Sequence, residues 1–204
     1  MGRGFLICFI GVDGSGKTTI AKHLEEYLRK TGKSCRYIWG GWRGFESLLF
    51  KPIAKLLRKN VSILGNQHPK VKSNLGMLSY FALLDYILRV FPILISSLSR
   101  YEYVIMDRYI YDVIIGFSLR REPSVPLFRK LSLFFPRPYK VFLIDVPEEI
   151  AYSRKDDIPS IEYIANQKNL YLELSKEEGF QIIDGTRDKE NLLEMIRKEV
   201  VVEK

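Results

Sequence analysis

From its N-terminus the chain alternates short apolar runs with longer segments whose apolar residues recur every three or four positions. Phe5-Leu6-Ile7-Cys8-Phe9-Ile10 is continuously apolar, the pattern of a strand buried on both faces. Over 20–30, Ile20, Leu24, Tyr27 and Leu28 stand at helical spacing with charges between them, and Gly32 supplies the stop. Further strands are predicted over 34–39, 101–107, 140–145 and 180–183, the third and fourth of the five ending in Asp107 and Asp145. Between them the pattern predicts a helix through Leu48, Leu49, Ile53, Leu56 and Leu57, with Lys51, Lys55, Arg58 and Lys59 outward, then a polar stretch over 60–73. A long helix follows over 79–98, another from near Tyr109 to 120–123, and one opened by Pro147. The last two are an amphipathic helix over 160–178 stopped by Gly179, and a final helix after Asp184-Gly185-Thr186-Arg187. Strands alternating with helices predict a parallel sheet covered on both faces. With no internal repeat or linker, 1–204 reads as a single domain.

Composition narrows this picture little. At 204 residues and 47% hydrophobic the chain can bury a full core. Its net charge of +8 is scattered rather than clustered, which suits small phosphate-bearing ligands and argues against nucleic acid as the partner. Cys8 and Cys35 lie in predicted strands without metal spacing, as reduced core residues do, and no secretory leader is expected. The leucine- and isoleucine-rich segment 79–98 is long enough to cross a membrane. Asp85, Arg89 and Pro92 interrupt it, so it is expected to be a buried helix. A cytoplasmic protein with no membrane partner is the expectation.

One motif gives the pattern its chemistry. Gly11-Val12-Asp13-Gly14-Ser15-Gly16-Lys17-Thr18-Thr19 fits G-x-x-x-x-G-K-[ST] and stands between the first strand and the first helix, the context a phosphate-binding loop requires. Its glycines let successive N–H groups point inward, and the helix N-terminus adds free N–H groups and the positive end of its dipole. Lys17 brings charge to the outer phosphates, and the Thr18 hydroxyl is suited to Mg2+. In open parallel sheets functional groups gather at the carboxyl ends of strands. There Asp107 is placed as a second magnesium-side carboxylate, and Arg108 as a clamp for phosphates gaining charge in transfer. Asp13, a carboxylate inside a phosphate cradle, must face away from the ligand toward a hydroxyl, a cation or a second substrate.

The loop with its internal acid, the triplet Asp107-Arg108-Tyr109, the run Leu143-Ile144-Asp145-Val146-Pro147-Glu148-Glu149 and a final Asp-Gly-Thr loop together resemble the thymidylate kinase family. The resemblance spans the whole plan of the chain. It implies a P-loop three-layer α/β/α fold on a five-stranded parallel sheet, ATP with Mg2+ as donor and a small phosphorylated acceptor; a homodimer is the candidate assembly. It implies that Lys17 and Arg108 bind phosphates, that Gly11, Asp13, Gly14, Ser15, Gly16, Thr18 and Thr19 complete the donor loop, and that Thr18 and Asp107 serve magnesium. Asp13 would contact the acceptor sugar, and Thr186 and Arg187 would border the adenine. In some members an arginine stands at the position of Gly14; where glycine stands there, the lid supplies the cation. A short lid around 153–160 thus makes Arg154 the candidate, with Lys155 behind it.

The acceptor side departs from the family pattern. Ile10 replaces a usual glutamate, and Trp39-Gly40-Gly41-Trp42-Arg43-Gly44-Phe45 replaces an Arg-x-Pro-type segment. Tyr86 stands at the place of an arginine that meets thymine, and Asp112 where a serine is common. Arg43, in a glycine-flanked loop after a strand end, is the candidate for the acceptor phosphate, with Trp39 or Trp42 flanking the acceptor ring. The expectation is an ATP-dependent nucleoside monophosphate kinase with dTMP as the favoured acceptor. Another nucleotide or a phosphorylated sugar on the same scaffold is the alternative. A nucleotide switch fits less well, because no Asn-Lys-x-Asp sequence is present and Asp107 is not followed by x-x-Gly.

Overall fold

The five apolar runs form one sheet. The computed structural model describes residues 4–42, 76–156 and 158–201. Its strands are β1 (Phe5–Ile10), β2 (Cys35–Trp39), β3 (Tyr103–Asp107), β4 (Lys140–Asp145) and β5 (Gln181–Asp184), all parallel, in the order β2-β3-β1-β4-β5. The helices described are α1 (Lys17–Lys30), α2 (Gly76–Arg100), α3 (Ile110–Leu119), α4 (Val125–Ser132), α5 (Glu148–Ser153), α6 (Ile161–Glu178) and α7 (Lys189–Val200). Successive strand residues face opposite ways, so β1 feeds two cores. Leu6, Cys8 and Ile10 pack with Val104, Met106 and Leu143 under α2, α3, α4 and α6. Ile7 and Phe9 pack with Ile105, Phe142 and Ile144 under α1 and α7. The result is a three-layer α/β/α fold. Cys8 and Cys35 are both buried thiols within it.

Local signals account for most element ends. The Ser160 side chain caps α6 by accepting from Tyr163 N, and Gly179 ends it in the left-handed region at φ 71°. Pro147 stands one residue outside the helix it was expected to open, as the N-cap of α5. α4 has no counterpart in the sequence pattern; with eight residues and a proline in its first turn it is too short to display a period. α2 corrects the expectation of a wholly buried helix. Ala82, Leu83, Tyr86, Val90, Leu94 and Leu98 pack onto the sheet and Asp85 is buried, but Phe81, Leu84, Leu88 and Ile95 face outward, exposed. By length and composition alone α2 would suffice to cross a membrane; here one face is core. The helix expected through Leu48–Leu57, the polar stretch over 60–73 and Arg43 lie outside the described residues.

Candidate active site

β1 and β3 are adjacent, so the loops leaving their carboxyl ends meet. Phe9 is in register with Asp107, and the first turn of α1 therefore lies beside the end of β3. The Thr18 hydroxyl donates to Asp107 Oδ2 at 2.6 Å. The same oxygen accepts from the Tyr37 hydroxyl at 2.7 Å, while the buried Asp107 Oδ1 has no hydrogen-bond partner. Tyr37 escaped the sequence reading. It lies on β2 diagonal to Asp107, a relation that exists only once β2 and β3 pair in this register. Burial, and then the bond to Asp107, pushes its phenol well above the usual range.

Lys17 is almost fully buried, and its ammonium donates to the Val12 carbonyl at 2.7 Å. Burial and the neighbouring Arg108 lower its pKa from 10.5 to about 8, although Asp13, Asp112 and Asp107 pull the other way. Asp13 meets two cations. Its Oδ1 pairs with Arg108 Nη2 and lies 3.9 Å from Lys17 Nζ. Burial alone would raise the Asp13 carboxyl, but Arg108 and then Lys17 outweigh it and hold the group below the usual carboxylate range. Arg108 sits at φ 70°, the left-handed region that a non-glycine residue adopts at a cost of roughly 1–3 kcal/mol. That kink comes where the chain leaves β3.

Gly14 is required by its surroundings. At φ +83° a Cβ there would collide with the Ala151 carbonyl oxygen and lie 3.0 Å from the Ala151 carbonyl carbon. α5 thus packs backbone to backbone against the phosphate loop, and its C-cap, Arg154, donates from Nη1 to the Gly14 carbonyl at 3.2 Å. Lys168 fixes the start of α5 from α6, reaching Val146 O at 3.1 Å and Asp145 Oδ1 at 3.0 Å. The bare backbone of Gly41 serves on the other side, where a Cβ would meet Arg108 Cδ at 2.8 Å.

The remaining candidates divide. Thr186 and Arg187 stand together at the exposed β5 end, both turned to Asp184: Thr186 Oγ1 donates to its Oδ1 at 2.6 Å, and Arg187 Nε lies 3.6 Å from its Oδ2. Trp42 is partly buried, its ring 5.6 Å from that of Phe117. Tyr86 is not brought to the open site. It is fully buried, stacked on Phe135 with ring centroids 6.0 Å apart, and its hydroxyl has no hydrogen-bond partner. Arg89, one turn later on α2, holds the loop after β2 instead. It donates to Gly41 O at 2.6 Å and lies over the rings of Trp39 and Tyr86. The i, i+3 spacing of Tyr86 and Arg89 was the one sequence signal available for it.

The described residues thus bring together a glycine loop at a helix N-terminus, two cations, a hydroxyl and two carboxylates, the equipment of phosphoryl transfer. Similarity to known proteins agrees. The thymidylate kinase family model matches residues 9–196. A thymidylate kinase of Thermosipho africanus is 30% identical over 211 residues, covering 97% of each chain. A probable thymidylate kinase of Saccharolobus solfataricus is 28% identical over 198 residues, covering 95% of each. One from Methanothermobacter thermautotrophicus is 29% identical over 184 residues, covering 89% of this chain and 86% of its own. With the family model matched across nearly the whole sequence, the chain belongs to the thymidylate kinase family.

Proposed function

We propose that this protein, a single domain over 1–204, is a cytoplasmic kinase that transfers the γ-phosphoryl of ATP to dTMP, giving dTDP and ADP. The observation that carries the reading is the convergence of Lys17, Thr18, Asp107, Arg108 and Asp13 at the adjoining ends of β1 and β3. The names of the relatives point to dTMP as acceptor.

The loop N–H groups and Lys17 hold the donor phosphates, and Thr186 and Arg187 border the adenine. A hard divalent cation suits the pair Thr18 and Asp107: an oxygen donor set with one buried carboxylate oxygen, Oδ1, left without a partner. Bound there, Mg2+ would neutralise charge on the phosphates. Arg108 meets charge that grows on the transferring group, and Arg154 approaches from the α5 side over Gly14. Asp13 releases Arg108 to face the acceptor sugar. Arg43 binds the acceptor phosphate, and Trp42, in the loop that Arg89 fastens at Gly41, flanks its ring.

A panel of nucleoside monophosphates and sugar phosphates, assayed with ATP and Mg2+, tests the reading. dTMP is expected to give the highest kcat/KM by at least tenfold. A higher value for another nucleotide or a sugar phosphate would replace the acceptor. No turnover with any member would overturn the reading as a whole.

A further inference from the structure

Arg108 is held by two carboxylates of unlike character. Asp13 is open, its side chain 36% accessible, and pairs with Nη2. Asp112 is closed, its side chain 4% accessible, with Oδ1 3.6 Å from Nη1. Both oxygens of Asp112 are fixed from separate elements. Oδ1 accepts from the hydroxyl of Tyr171, buried on α6, at 2.6 Å; Oδ2 accepts from Tyr109 N at 2.9 Å at the start of α3.

We propose that Asp112 and Tyr171 form a buried anchor that holds the Arg108 guanidinium in its productive position when Asp13 lets go. An incoming phosphate competes with Asp13 for Arg108, and Asp13 has solvent and substrate to turn to. Asp112 has neither, because both its oxygens are committed and it is enclosed. A long side chain leaving the sheet from a strained backbone would otherwise lose its place at the moment its outer partner departs. The charges fit the assignment. Burial raises the Asp112 carboxyl, Arg108 foremost draws it back, and Asp13 with Asp112 keeps Arg108 above its ordinary value despite burial. Asp112 and Tyr171 are positioning residues: they act through Arg108 and touch no substrate.

A purely structural role would make Asp112 only the helix cap of α3, its side chain accepting from Tyr109 N. Asp112→Asn separates the two, because an amide oxygen still accepts from Tyr109 N while the charge facing Arg108 is lost. The expected result is a kcat lowered about tenfold, a KM for ATP within twofold, and an undiminished melting temperature. Tyr171→Phe, which leaves the cap intact, is expected to lower kcat severalfold. The double variant should be no slower than Asp112→Asn alone, as residues acting through one contact require. A kcat for Asp112→Asn within twofold of the parent would overturn the proposal, as would losses that multiply in the double variant. The inference rests on Arg108 serving transfer, so Arg108→Ala is measured alongside. If that variant is unimpaired, the reading of the site fails; if it is impaired while Asp112→Asn is not, only the anchor fails.

Discussion

Lys17 offers the sharpest test, because its charge is a burden to the fold and useful only to the reaction. The ammonium is buried beside Arg108, and its pKa falls from 10.5 to about 8. At roughly 1.4 kcal/mol per pH unit, holding Lys17 protonated at pH 7 costs the ligand-free protein about 3 kcal/mol. Lys17→Met keeps the stem and removes the charge. It also removes the bond to Val12 O, worth about 1 kcal/mol, but that carbonyl keeps Ser15 N as a donor at 3.2 Å. The variant should therefore be more stable than the parent by about 2 kcal/mol. In a domain of this length that raises the melting temperature by about 4–8 °C. Turnover should be lost, and with it most of the thermal shift produced by ATP with Mg2+. The sign of the pH dependence gives a second check. Between about 8 and 10.5 the unfolded chain still binds the proton that the native chain has shed, so Lys17 makes native stability rise with pH across that window. The rise should vanish from the variant, and melting curves of both proteins at pH 7 and pH 10 measure it. A variant less stable than the parent at pH 7, or one retaining a tenth of its turnover, would refute the reasoning.

Three further outcomes are expected. Arg108→Ala should lower kcat on the order of a hundredfold while the KM for ATP moves less than threefold; an equal loss in ATP binding with kcat unchanged would make Arg108 a donor-holding group only. Gly14→Ala forces φ +83° on an L-residue and drives a Cβ into the Ala151 carbonyl, so denaturant unfolding should show a loss of about 2 kcal/mol or more, with turnover falling as Arg154 is displaced. Tyr37→Phe leaves Asp107 Oδ2 with Thr18 alone, and the Mg2+ concentration giving half-maximal activity should rise roughly tenfold with little change in melting temperature; an unchanged requirement would separate Tyr37 from the metal side of the site.

The sequence by itself determined the phosphate loop, because that site is local: strand, glycines, lysine and helix N-terminus follow one another within 5–30. It determined β1, β3 and β4 for the same reason, since a doubly buried strand is a continuous apolar run wherever it lies in the sheet; the edge strands β2 and β5, only partly buried, were legible as short apolar stretches between turns. Asp107 and Arg108 were legible from a rule about strand ends rather than from any contact. Only the tertiary structure set the order β2-β3-β1-β4-β5, and everything that depends on it. Thr18 meets Asp107 across 89 positions, Tyr37 meets it across 70, and Arg108 meets Asp13 across 95. Periodicity along the chain carries no record of such pairs, because each is fixed by strand adjacency and register. Tyr86 shows the same division in reverse: its place on the helix was legible, but which way that face turns was decided by α2 packing onto the sheet. Asp112 was visible in the sequence only as a carboxylate where a serine is common. That its Oδ1 is spoken for by a tyrosine 59 residues away on another helix follows only from α3 and α6 lying side by side on the same face of the sheet.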